Sequence, residues 1–316
     1  MKKSAAQVTS TPKSTDKTLV VVAGPTGCGK TNLSIELAGH LQTEIVSADA
    51  RQFYHELKIG TAAPTPPELA LAKHHLAGHL SVYDYYNVSA YEQQAIAIIN
   101  QLFKNHDFVL LTGGSGLYID AVCKGIDDLP PVDPEIRKEV DQIFRHGGLQ
   151  ALRGFLKNAD PVFYQQVDLA NPNRMKRAIE VFLTTGKKIS ELRTHNPNSR
   201  PFKIKTVVVD RPRPELFGRI NARVDQMVVN GLIEEAIGFF RLKHLNALNT
   251  VGYKEIFDWI SGKYKLSEAV EKIKTNTRRY AKRQITWFKR YPDALWVHPG
   301  NMPEILRFIE KKEVES

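Results

Sequence analysis

Cysteine is nearly absent: Cys28 and Cys123 are the only two in 316 residues. That is too few for a disulfide framework and fits a reducing compartment. No apolar run approaches the length of a membrane span. Segment 1–17 is basic and Ser/Thr-rich but lacks the apolar core of a signal peptide, so it is expected to be a floppy tail. Beyond that tail there is no low-complexity tract, and no internal repeat. A composition that is 42% hydrophobic and 25% charged excludes a disordered chain and a collagen. What the chain does have is length enough for about two domains and an excess of positive charge. Its 44 Lys+Arg against 34 Asp+Glu leave a formal +10. This calls for an anionic partner, with nucleotide, nucleic acid and membrane surface all open.

The charge is concentrated. Lys272, Lys274, Arg278, Arg279, Lys282, Arg283, Lys289 and Arg290 fall in one stretch without an acid, with Tyr280, Trp287 and Phe288 interleaved. Basic groups beside aromatics can hold phosphates and stack on bases. The same run reads equally well as a solvated helix face whose aromatics are core.

Residues 18–23, 44–47, 108–112 and 202–210 are short β-branched or apolar runs expected to be strands, with a last one at 294–297. Helical spacing marks 30–41 and 90–103, and long helices are expected at about 213–242 and 267–290. Strands alternating with helices indicate a parallel sheet with crossover helices. After Gly125 the pattern changes. Leu129-Pro130-Pro131 breaks the chain, Asp133-Pro134 offers a cap and first turn, and helices follow to about Arg193. Asn196 to Pro201 reads as a linker. The expected fold is α/β: a P-loop NTPase-like parallel-sheet core (18–125 and 201–316) carrying an inserted all-helical domain (126–200).

Gly24-Pro25-Thr26-Gly27-Cys28-Gly29-Lys30-Thr31 fits G-x-x-x-x-G-K-[ST] between a strand and a helix. Glycines let backbone N–H groups turn inward on a phosphate. The helix adds its positive end, Lys30 a mobile charge, and the Thr31 hydroxyl a ligand for Mg²⁺. Cys28 is expected to be a small filler of the loop. Asp49 follows the second strand at the end where open α/β sheets place their sites. It could ligate Mg²⁺, act as a general base or cap a helix. The third strand ends in Thr112-Gly113-Gly114 rather than in an acid.

Further motifs follow in order: Ser47-Ala48-Asp49, Ile59-Gly60-Thr61-Ala62, His74-His75-Leu76, Gly113-Gly114-Ser115-Gly116-Leu117-Tyr118 and Asn171-Pro172-Asn173-Arg174. Val251-Gly252-Tyr253-Lys254-Glu255 and Arg279-Tyr280-Ala281-Lys282-Arg283-Gln284-Ile285-Thr286-Trp287-Phe288 complete the set. With the P-loop, these resemble the tRNA dimethylallyltransferase family from about Leu19 to Tyr291. The resemblance implies that the P-loop holds the pyrophosphate of dimethylallyl diphosphate, with Mg²⁺, rather than ATP. It implies transfer of the dimethylallyl group to the exocyclic amine of the adenosine 3′ of the anticodon, with the inserted domain clasping the tRNA anticodon stem-loop.

On that resemblance Asp49 is the general base. Lys30, the loop amides, Thr31 with Mg²⁺, and Arg223 neutralise the leaving pyrophosphate. Read alone, Arg223 would instead be a helix-surface salt bridge. Ser115 stands where the family commonly has Thr and keeps the hydroxyl; it could equally be a helix N-cap. Asp49, Ala50, Arg51, Gln52 and Ser115 match a stretch that meets the target adenosine, with Ala50-Arg51 replacing the common Ser-Met. Gln52 suits reading a base edge, and Arg174, Lys176 and Arg177 suit phosphates. Arg137, Asn173, Arg174, Met175, Lys176 and Arg177 match positions that touch the anticodon arm. Gly252, Tyr253, Lys282 and Arg283 lie in further RNA-facing stretches. Ala63 replaces a lysine common in the family. His74 and His75 are neighbours in a strand, so they face opposite ways and are expected to support the core rather than share a metal. The C-terminus carries no Cys/His cluster of the eukaryotic zinc-finger kind, which favours a bacterial-type, cytoplasmic enzyme, by default a monomer. A P-loop metabolite kinase and an RNA-binding ATPase are the competing readings.

Overall fold

The structure is a computed structural model and describes residues 17–127, 129–193 and 199–311. Apart from Lys17, the expected tail lies outside these residues, as does linker segment 196–198. The chain runs Thr18–Ala23 (β1), Lys30–Leu41 (α1), Ile45–Ser47 (β2), Pro66–Leu71 (α2), His74–His75 (β3), Val88–Leu102 (α3), Phe108–Gly113 (β4) and Gly116–Lys124 (α4). Four helices follow: Pro134–Ala159 (α5), Pro161–Gln166 (α6), Pro172–Thr185 (α7) and Ile189–Leu192 (α8). Then come Lys203–Val209 (β5), Arg213–Val229 (α9), Leu232–Phe239 (α10), Tyr253–Ile260 (α11), Leu266–Phe288 (α12), Leu295–Val297 (β6) and Met302–Glu310 (α13).

The strands form one sheet in the order β3-β2-β4-β1-β5-β6, with every pairing parallel. Its central strand is buried at every position. Strand residues alternate between faces. Leu19, Val21 and Ala23 therefore pack with Tyr91, Ile99 and Ile119 of α3 and α4, while Val20 and Val22 pack with Leu33, Leu37, Leu216 and Ile220 of α1 and α9. Both faces are covered, which is why these strands read as continuous apolar runs. The result is the P-loop α/β architecture, and it puts the ends of β1, β2, β4 and β5 on one edge.

Beyond those ends, two segments meet backbone to backbone. Ala48 N–H donates to Thr112 O at 2.7 Å and Ser115 N–H to Ala48 O at 3.2 Å. A Cβ on Gly113 would lie 2.1 Å from the Ala48 carbonyl oxygen, and no flexible side chain could yield. Gly113→Ala should therefore destabilise the fold by about 1–3 kcal/mol, the usual cost of overpacking, read as a lowered thermal midpoint.

Residues Lys124–Ser199 form a separate compact unit. All its regular elements among the described residues are helices. Its starts are written in the sequence: Asp133-Pro134, Asp160-Pro161 and Asn171-Pro172 each place a capping side chain before a proline in the first turn. Asp133 accepts from Glu135 N–H at 2.8 Å, Asp160 from Phe163 N–H at 2.9 Å, and Asn171 from Arg174 N–H at 3.3 Å. Helix α5 is interrupted at Gly148. Val140, Leu152, Leu156, Phe163, Met175 and Ile179 form the unit's own core.

The helix expected over 213–242 is instead two, broken at Gly231, which sits at φ 99°. His74 and His75 do lie in a strand. The His74 ring bonds Ala72 O, and the His75 ring bonds the Glu44 carboxylate at 2.5 Å.

Candidate active site

The loop between β1 and α1 has φ 103° at Gly29, a conformation that suits glycine. The first turn of α1 carries no acid, so its positive end is unshielded. Cys28 is fully buried in the core and fills the loop from beneath. The loop is braced from outside. Arg211 donates to Cys28 O at 2.7 Å, Arg219 to Gly27 O at 2.9 Å, and Lys30 to Pro25 O at 2.8 Å. Buried Gln284 of α12 accepts from Thr26 N–H at 2.8 Å and donates to Gly114 O at 2.8 Å. One amide thus ties the phosphate loop to the turn after β4. Gln284→Ala would leave the half-buried Thr26 N–H and the buried Gly114 C=O unpaired, the latter costing about 1–3 kcal/mol. The expected outcome is weaker diphosphate affinity together with a lower thermal midpoint, both measurable on the purified protein.

Arg223 belongs to this loop rather than to the helix surface. Its guanidinium donates to the Thr26 hydroxyl at 3.0 Å. Burial pushes its pKa down, and the nearby Asp49 charge opposes that shift. Arg219 and Arg223 are four apart on α9, hence on one face, and both reach the loop.

Asp49 lies beyond the end of β2. Its Oδ1 accepts from Arg51 N–H at 3.0 Å and its carbonyl from Gln52 N–H at 3.0 Å. The carboxylate therefore caps a turn, not a helix. The Ser115 hydroxyl accepts from Ala50 N–H at 3.0 Å, while its main-chain carbonyl takes the first hydrogen bonds of α4. The hydroxyl thus fastens the Asp49 turn instead of capping the helix. Tyr280 completes the group. Burial and then the Asp49 charge push its phenol up to about 12, and a hydrogen bond with Ser115 works in the opposite direction.

The Gln52 amide donates to Ala62 O at 2.7 Å and to Thr61 O at 3.3 Å. Arg51 reaches Asn246 O at 3.4 Å. Thr31 stands half-buried in the first turn of α1, and its hydroxyl has no hydrogen-bond partner among the described residues. The described residues contain no group of three His, Cys, Asp or Glu placed to hold a metal ion. One hydroxyl beside a phosphate loop suits Mg²⁺, which commonly keeps waters and binds through substrate phosphates.

The RNA-facing expectations divide. Tyr253 is fully buried with its hydroxyl on Glu235 at 2.6 Å, and buried Gly252 donates to Glu255 at 2.8 Å. Both residues lie in the core of the structure. On α12, Phe288 is buried and Trp287 donates to Asp120 at 3.1 Å, so these aromatics belong to the interior. Lys274 pairs with Asp225 at 2.7 Å, and Arg278 with Asn221 at 2.5 Å. Lys272, Arg279, Lys282, Arg283, Lys289 and Arg290 stay exposed.

In the helical unit Met175 is fully buried. Lys176 pairs with Asp141 at 2.7 Å, Arg137 with Glu180 at 3.8 Å, and Arg177 donates to Pro130 O at 3.0 Å. Asn173 and Arg174 are exposed.

Sequence reading missed Gln284, Tyr280, Arg219 and Arg211 as site residues. A signal existed for the first two. Tyr280, Gln284 and Phe288 recur every four residues on α12, which makes one face. Gln284 is an uncharged amide inside the basic run 278–290 and lies on the face that turns inward.

The IPP transferase family model matches residues 52–291. The chain is 50% identical over 292 residues to tRNA dimethylallyltransferase 1 of Bacteroides thetaiotaomicron, covering 92% of this chain and 95% of that one. It is similar in structure to the full-length tRNA isopentenylpyrophosphate transferase of Bacillus halodurans. The TM-score there is 0.68 at 32% identity, over 93% of this chain and 95% of that one. It also shares its fold with a eukaryotic dimethylallyltransferase acting on tRNA, with TM-score 0.73 at 23% identity, over 93% of this chain and 76% of that one. Matched over most of its length by the family model and by relatives of this kind, the chain belongs to the IPP transferase family.

Proposed function

We propose that this chain transfers the dimethylallyl group of dimethylallyl diphosphate to the exocyclic N6 amine of the adenosine 3′ of the tRNA anticodon, releasing pyrophosphate. The observation that carries this reading is the phosphate loop braced by Arg223, which bonds Thr26 at 3.0 Å, with the preorganised Asp49 carboxylate close enough for its charge to act on that arginine. A base near an anion cradle fits a reaction in which a proton and a pyrophosphate leave from opposite partners.

Loop amides, the α1 N-terminus, Lys30 and Arg223 hold the diphosphate and take up the charge that develops as the allylic C–O bond breaks. The N6 lone pair forms the new C–N bond, and its proton passes to the Asp49 carboxylate. Because Oδ1 is held by the Arg51 amide, the carboxylate is oriented before substrate arrives. Ser115 and Tyr280 keep that turn in place. Mg²⁺, held by Thr31 and diphosphate oxygens, would supply further charge neutralisation on the leaving group.

The names of the relatives support tRNA as the acceptor. For the RNA backbone we assign exposed Arg279, Lys282 and Arg283 of α12 and, in the helical unit, Asn173 and Arg174. The basic residues already paired inside the protein contribute less. No helix among the described residues is long and apolar enough to cross a membrane, and we place the enzyme with its tRNA in the cytoplasm, as a monomer. Digestion and mass analysis of tRNA from cells lacking the protein tests the reading. Loss of the prenylated adenosine next to the anticodon is expected, and its full retention would contradict the assignment.

A further inference from the structure

Glu235 of α10 makes an unusual set of contacts away from the reacting groups. Its Oε2 accepts from the N–H of Lys58 at 3.1 Å and of Ile59 at 2.9 Å, and its Oε1 from the N–H of Gly60 at 2.9 Å. The Tyr253 hydroxyl donates to the same Oε1 at 2.6 Å. Three successive amides converging on one carboxylate form a nest, an arrangement that binds anions strongly. Beneath it lies the Tyr253 ring, so close that a Cβ on Gly60 would be 2.6 Å from it. Loop 58–63 is closed on itself as well, since Ala62 N–H donates to Ile59 O and Ala63 N–H to Lys58 O, both at 3.0 Å. Ala62 sits at φ 49°, a left-handed conformation that a non-glycine keeps only where its surroundings impose it.

This held loop points two carbonyls at one side chain. Thr61 O and Ala62 O both accept from Gln52 Nε2. Two carbonyl acceptors settle which end of the amide is nitrogen. They leave the Gln52 oxygen as the end that can accept from an incoming N–H such as an exocyclic amine. Gln52 is three residues past Asp49, in the turn the carboxylate caps.

We infer that Glu235, with Tyr253, is a positioning residue for acceptor recognition: it anchors loop 58–63 so that the loop holds the Gln52 amide in one orientation beside Asp49. The inference rests on the function proposed above. Glu235 acts on the tRNA substrate through Gln52 and leaves the diphosphate site untouched.

Glu235→Gln replaces one accepting oxygen by a donor facing donors. Steady-state kinetics should show kcat/KM for tRNA reduced about tenfold, as for loss of a charged hydrogen bond, with the KM for dimethylallyl diphosphate unchanged. In a Gln52→Ala background the same change should add less than about twofold, because both act through one group. Tyr253→Phe keeps the ring under Gly60 and should give a smaller loss in the same direction. Hydrogen exchange at the Lys58, Ile59 and Gly60 amides should accelerate in Glu235→Gln whatever the activity. An additive double mutant, a parallel loss of diphosphate affinity, or unchanged tRNA kinetics would overturn the inference, and so would unaccelerated exchange at those amides. A wild-type protein that makes no prenylated tRNA would instead overturn the proposed function, and the exchange measurement would still report on the anchor.

Discussion

Asp49→Asn is expected to lower kcat for prenyl transfer by about 10²–10⁴-fold, the range a positioned general base contributes. Affinity for dimethylallyl diphosphate should hardly change. The amide can still accept from Arg51 N–H through its oxygen, so the turn and the Ser115 contact to Ala50 persist. What is lost is the group that takes the N6 proton. An adenine amine is a weak nucleophile whose lone pair is shared with the ring, so bond formation without proton removal stalls. Equilibrium binding of the diphosphate and single-turnover rates with tRNA separate the two effects. Equal losses of binding and rate would make Asp49 a structural or metal-binding residue instead.

The second large effect is expected at Arg223. Arg223→Met keeps much of the side-chain stem and removes the charge and the Thr26 hydrogen bond. The transfer rate should fall by about 10²–10³-fold, as when one preorganised donor to a developing anion is removed. Diphosphate affinity should fall too, because the ground-state substrate already carries charge there. Arg223→Lys should recover only part of the loss, since an ammonium lacks the planar fork of donors. Activity of Arg223→Met equal to wild type would leave this arginine as a brace of the loop with no part in the reaction.

The parts of the site that were legible in the sequence are local in the chain. The phosphate loop is a contiguous segment whose glycines, lysine and threonine each have a short-range reason to be there. The central strands could be read because both faces are buried and the runs are continuously apolar. The long-range braces were not legible. Gln284 bonds Thr26 across 258 residues, and nothing near either position announces the other. Glu235 looks like an ordinary acid in the first turn of a helix, where it favours the dipole, and its partners lie far upstream.

The single helix expected over 213–242 has the same origin. Apolar spacing continues through Gly231, so two helices looked like one until the backbone turned left-handed there. Tyr253 and Met175 sit inside stretches that resemble RNA-facing segments, yet both are fully buried. A motif marks a stretch of chain, whereas burial selects which of its side chains meet a ligand. On α12 that selection leaves Arg279, Lys282 and Arg283 outward and takes Gln284 and Phe288 inward.

The most direct measurement is incubation of the purified protein with labelled dimethylallyl diphosphate, Mg²⁺ and undermodified tRNA, followed by nuclease digestion and mass analysis of the product. The account predicts label in one adenosine, the one 3′ of the anticodon, with one pyrophosphate released per transfer. Absence of label in the tRNA, with phosphate released from ATP in a parallel incubation, would contradict it.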